Sequence, residues 1–214
     1  MHRLLPLLGL FAGLMAQASG AEAPTGETRR AMDGATVSRF KYTINSPYLT
    51  FTNFDSEAST LYEFHFGYRI TPKDMLGIKA VTWKLVAPLG IPWGPHLMNE
   101  NENYPGELRE SGVGVTYERF LWKGLYASME AVPLVKKYLD ESGKEIADGF
   151  RLYTSYHVGY YLPLFKNRVY VQPQIHCNYW PINTKSPNGF EAKDAKWNND
   201  YFLFEPNIYF GVNF

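Results

Sequence analysis

A single cysteine, Cys177, is all that the 214 residues carry. It cannot close an internal disulfide, so stability has to come from burial and strand pairing. It also rules out a cysteine-based zinc site. A reactive thiol needs a cationic or helix-terminal setting, and a passive strand residue is the simpler reading. Charge of one sign is lacking too, because 21 Lys and Arg balance 21 Asp and Glu. That balance removes the electrostatic case for nucleic acid, which requires a basic face able to neutralise many phosphates. A long apolar run is the third absence. The longest, Leu4 to Met15, is about a dozen residues, short of the ~20 that a membrane helix needs. No cofactor and no metal site is expected.

What that run does resemble is the core of a secretory signal peptide. His2 and Arg3 precede it, and Ala16, Ala18, Ser19, Gly20 and Ala21 follow. Residues 1–21 are assigned to the signal peptide, with cleavage between 18 and 23, and residues 22–34 to a short periplasmic extension. The absence of a cysteine there excludes a lipoprotein anchor. A mature chain without a membrane helix can still span a bilayer as a closed barrel. Its strands pair every backbone group, and alternation dilutes its hydrophobic signal.

Aromatics are abundant: 16 Tyr and 14 Phe, residue types that pack well on a pleated face. They fall at period two. From Leu61 to Ile70 one face is Tyr62, Phe64, Phe66, Tyr68 and the other Glu63, His65, Gly67, Arg69. Phe150–Leu162 and Phe202–Phe214 alternate in the same way. Weaker strands are expected near Thr36–Ile44, Met75–Leu85, Arg109–Phe120, Leu125–Val132 and Val169–Asn178. The Met75–Leu85 segment mixes polar and apolar residues on both faces.

Three connections are short: Thr71–Asp74, Leu121–Gly124 and Leu164–Arg168. Four, near 45–59, 88–108, 136–149 and 180–200, read as long. Eight strands with alternating short and long links predict an all-β, closed antiparallel up-and-down transmembrane barrel over 35–214. The short turns would be periplasmic and the long loops extracellular. Ten residues at ~3.3 Å each, tilted by ~40°, cover roughly the 25 Å height of an apolar band. Volume decides which face points out. An eight-stranded interior is barely wide enough for side chains, and the apolar face carries too many Phe and Tyr to fit. The polar face, poor in Lys and rich in Gly, Ser, Asn and Gln, suits a packed lumen. A soluble ligand barrel would place these faces the other way round.

The last strand ends Ile208-Tyr209-Phe210-Gly211-Val212-Asn213-Phe214. With the signal peptide and the alternating strands, it resembles the small bacterial outer-membrane β-barrel proteins. In that class Ile208, Phe210, Val212 and the terminal Phe214 look like the signal read by the barrel-assembly machinery. The resemblance implies outer-membrane location, assembly by that machinery, and outer-membrane lipid and lipopolysaccharide as surroundings. It implies no activity and names no extracellular partner.

Glu63, His65, Arg69, Glu118, Glu130, Arg151, His157, His176 and Glu205 all fall on polar faces. In a narrow barrel such charges must pair or neutralise, so a lumen network is the first reading. An acid–base or metal site is the other. Lipid A deacylase barrels use a His with a Ser two residues on and a nearby acid. Here His176 is followed by Asn178 rather than Ser, and Ser155 with His157 has the spacing reversed. Residues i and i+2 do share a strand face. The expectation is a structural or surface-interaction barrel, with a lipid A-modifying enzyme and a narrow channel as alternatives. Eight strands leave little aqueous bore for the channel. Trp83, Trp122, Phe165, Trp180 and Trp197 sit near strand ends, as an interfacial girdle would. The run Asn99–Asn103 lacks calcium-loop spacing, and Trp93 lies in a proline-stiffened loop between Pro88 and Pro95.

Overall fold

The computed structural model describes residues 40–54, 61–85, 106–187, 190 and 201–214. The proposed signal peptide, the periplasmic extension, residues 36–39 of the expected first strand, Asn99–Asn103, Trp93 and Trp197 lie outside them. Period-two alternation produces nine strand segments: β1 Tyr42–Pro47, β2 Tyr62–Arg69, β3 Asp74–Leu85, β4 Glu107–Trp122, β5 Leu125–Leu139, β6 Glu145–Tyr160, β7 Leu162–Leu164, β8 Val169–Asn183 and β9 Tyr201–Asn213. Segments β6 and β7 are one stave interrupted at Tyr161, since both pair with β8. Eight staves therefore run antiparallel in sequence order, and β1 pairs with β9 to close the ring. Tyr42 and Phe214 exchange both backbone hydrogen bonds at 3.0 Å, and their rings stack at 5.9 Å. The terminal Phe thus sews the last strand to the first.

Two connections differ from expectation. The segment 136–149 is not a long loop. Strands β5 and β6 pair residue by residue out to Leu139 and Glu145 and turn at a tight hairpin, where Asp140 N donates to Lys144 O at 2.9 Å. The sequence reading stopped at Val132 because Pro133 and the Lys136-Lys137 pair resemble a loop. Pro133 has no N–H to give. Pairing with β4 accordingly lapses between Gly112↔Leu134 and Val115↔Ala131 and resumes in the same register. Gly112 makes that close approach possible, because a Cβ there would lie 2.0 Å from Pro133 O.

The first strand is the other difference. It runs to Pro47, and a 3-10 helix, Tyr48–Phe54, then packs against β1, β2 and β9. The Asn53 amide donates to Leu61 O and accepts from Leu61 N at 3.1 Å, standing in for a strand residue where β1 has ended.

The inward side chains are layered. Phe120, Tyr126, Tyr161 and Tyr170 close the end with the short turns. Val81, Val132, Leu134, Tyr153 and Trp180 pack further along, and Leu108, Tyr138 and Phe190 pack towards the other end. Trp83 and Trp180 therefore face the lumen and belong to no girdle. Trp83 Nε1 donates to Glu110 at 2.6 Å, and Trp180 is buried. Trp122 and Phe165 are exposed at the turn end.

Candidate functional site in the lumen

Alternation aims a charged belt inwards from six staves. Lys79, only 1% exposed, stands at its centre. Its ammonium lies 2.6 Å from Glu130 and 3.1 Å from Glu63, and 5.1 Å from the Tyr153 ring centroid. Glu63 also meets His65 at 2.8 Å and accepts from the Tyr209 hydroxyl at 2.5 Å. On the far side Glu205 meets His176 at 2.9 Å and accepts from Asn178 Nδ2 at 2.9 Å. His157 stands between the two halves, its ring 4.9 Å from that of His176 and Nε2 3.6 Å from Glu130.

Glu205 reaches this position because β9 bulges beside it. Leu203 and Phe204 oppose Cys177 alone, and Phe204 takes a φ of 61° that non-glycine residues seldom adopt. The extra residue keeps Glu205 aimed inwards.

Two further pairs lie along the lumen. Arg151 forms an ion pair with Glu110 at 3.1 Å, donates to its Oε2 at 3.4 Å and covers the Trp180 ring. Gln172 donates to Glu118 at 2.9 Å. Arg69 covers the Phe120 ring and donates to Pro72 O at 3.4 Å. Between the belt and the Glu118 layer lies a cavity of about 40 Å³, room for a few waters.

The nine residues expected on polar faces all turn towards the barrel interior, and His65 with Glu63 and His176 with Glu205 form histidine–carboxylate pairs, but no serine–histidine contact forms. Ser155 donates to Asn178 Oδ1 at 2.6 Å rather than to a histidine, and Tyr153 donates to the same oxygen at 2.8 Å. Ser155, His157 and His176 are buried in the lumen, whereas a lipid chain would meet the outer wall. Among the described residues no three His, Cys, Asp or Glu side chains converge on a metal. The sequence reading missed Lys79, because it lies in the stretch whose faces looked mixed. A lone lysine flanked by outward Ile78 and Ala80 was the available signal. Glu110 and Tyr209 were missed as well, and Asn178, named only as standing where a serine is needed, is a member of the belt.

The strand pairing defines a class: a closed eight-stave antiparallel β-barrel, with apolar side chains on its outer wall. No family model matches the chain, and no curated protein matches it. Among solved structures it is similar to Neisserial surface protein A (NspA), at 13% identity and a TM-score of 0.43, over 83% of this chain and 98% of that one. A likeness of that size adds no argument, and the fold stands on the strand pairing itself.

Proposed function

We propose that the chain is an integral barrel of a bacterial outer membrane, delivered by its N-terminal signal peptide, with a side-chain-filled lumen that serves a structural or surface-interaction role. The observation that carries this is the outer wall. Every stave turns apolar side chains outwards, among them Ile44, Phe66, Ile78, Val115, Val135, Val158, Ile175 and Phe210. A continuous apolar surface around a whole domain is untenable in water, and a closed ring leaves no backbone edge unpaired in lipid. Ile208, Phe210, Val212 and Phe214 share this face, as an assembly signal read from the membrane side would require. The belt and the aromatic layers occupy the bore, which speaks against a pore.

Unboiled and boiled samples of the membrane fraction compared on an SDS gel test the reading. The folded barrel should resist SDS and shift mobility on boiling, and planar bilayers should stay electrically silent. A soluble fractionation would overturn the membrane assignment, and steady single-channel steps would overturn the filled lumen.

A further inference from the structure

We propose that the lumen cavity is a site for one small monovalent cation, of sodium or potassium type, held by the Glu118 carboxylate and the Asn45 amide oxygen. This goes beyond the barrel reading and rests on it only in requiring a folded lumen.

Unpartnered atoms make the first part of the case. Asn45, 8% exposed, lines the cavity. Its Nδ2 donates to the Tyr170 hydroxyl at 3.0 Å, which leaves Oδ1 buried with no partner. Glu118 also lines the cavity. Oε2 accepts from Gln172, and Oε1 is buried without a partner. Buried acceptors in this state are rare in folded proteins and point to a group that satisfies them. Neither is well served by another acceptor. Both are served by a cation.

Charge is the second part. The cavity wall includes the carboxylates of Glu118 and Glu130 but no Lys or Arg. Lys79 is one ammonium shared between Glu63 and Glu130. Arg69 covers the Phe120 ring and donates to Pro72 O; its charge acts on Glu118 from beyond ion-pair distance and leaves Glu118 Oε1 without a hydrogen bond, so three carboxylates (Glu63, Glu118 and Glu130) face two permanent cations here. Negative charge in a low-dielectric interior requires a counter-charge, and the unmet acceptors mark where it would sit.

Size and ligand type select the ion. About 40 Å³ holds a small ion with a water or two. One free carboxylate oxygen and one amide oxygen suit a single charge. Magnesium demands a near-ideal octahedron and gives up its waters reluctantly. The donor set lacks the converging His, Cys or carboxylate side chains of a transition-metal site. His157, buried with neither ring nitrogen in a hydrogen bond and Nε2 3.6 Å from Glu130, lines the same cavity and is placed to bond a water carried by the ion.

The full chain, refolded from urea into detergent micelles, tests this in sodium chloride, potassium chloride or the chloride of N-methyl-D-glucamine at equal ionic strength. The last cation is too large for the cavity. Gel mobility without boiling reports whether the barrel has formed. The temperature at which that mobility is lost reports the site. Saturating sodium or potassium should raise that temperature by about 5 °C or more over N-methyl-D-glucamine. The rise should vanish in Glu118→Gln and shrink in Asn45→Ala. Crystals grown with rubidium chloride should show anomalous density at the cavity. Equal midpoints in the three salts, with the barrel formed and only water in the cavity, would overturn the proposal. A chain that forms no heat-modifiable species in any salt would instead overturn the barrel reading, and this site with it.

Discussion

The two faces of a single strand obey different rules. On β2, Glu63, His65 and Arg69 turn inwards, and each is tied to a named partner on another residue. Their neighbours Phe64, Phe66 and Tyr68 turn outwards; Phe64 is 51% exposed and packs into no core cluster. The inner face is a set of specific bonds, so its residues depend on one another. The outer face is matched to a solvent, so its residues need only be apolar at the right depth. Lipid fills any gap on the outside, whereas a gap in charge on the inside has to be met by a counter-charge at that one place.

Breaking the inner rule should therefore have the largest effect. Lys79→Met removes the one ammonium between Glu63 and Glu130 and leaves two carboxylates buried without it. Removing one member of a buried ion pair costs about 3–5 kcal/mol. Urea unfolding of the refolded barrel should show that loss, and adding Glu130→Gln should recover part of it. Ile78→Ala, one residue away on the outer face, should be far milder. Equal losses for the two would erase the distinction between the faces.

Sharpening the outer rule calls for a charge placed in lipid. Val115, 65% exposed near the middle of β4, is the position to use. Val115→Arg should cost about 2–4 kcal/mol in lipid vesicles if the residue lies at the bilayer midplane, and Trp122→Arg at the turn-side rim about 0–1. The same pair of changes on a water-exposed wall would be nearly silent. Unfolding free energies that do not depend on depth would remove the membrane from the account.

Much of this contrast was legible in the sequence, for a physical reason. Exact period two makes Tyr62–Ile70 and Phe204–Phe214 declare both faces at once, and these strands formed close to where alternation placed them; before Phe204 the β9 bulge breaks the phase, which no local pattern announced. Failures occurred where local chemistry mimics something else. Pro133 and Lys136-Lys137 look like a loop, yet Pro133 costs β5 only a stretch of one ladder, and Lys136 turns inwards to Asn183 at 2.9 Å. Trp83 and Trp180 look interfacial near strand ends, but their strands continue past them. The belt was half visible. Its acids and histidines could be named from their faces, but its centre, Lys79, sits where both faces are mixed. Cross-barrel distance is not written in period two at all, so no local pattern could show that Lys79 reaches Glu130.

At the tip of the β5–β6 hairpin the difference between the faces ends, since both sides meet water. Asp140 holds this turn. One carboxylate oxygen accepts from Ser142 N at 2.9 Å, Ser142 Oγ at 2.6 Å and Lys144 N at 3.0 Å. The Ser142 hydroxyl and the Lys144 amide together hold its pKa below the usual aspartate value. A depressed carboxylate pKa gives stability that is fully present above the unfolded-state pKa, near 3.9, and is lost as pH falls through the folded value. Asp140→Ala should therefore produce the smallest effect of the three. It should be a slight loss at neutral pH that shrinks as the solution is acidified towards pH ~3. Amide hydrogen exchange at Ser142 and Lys144 is the measurement. Faster exchange confined to this hairpin, with the belt amides unchanged, is the expected result. Faster exchange spreading to Lys79 and Glu130 would mean that tip and lumen open together, and the two faces would then share one rule for stability.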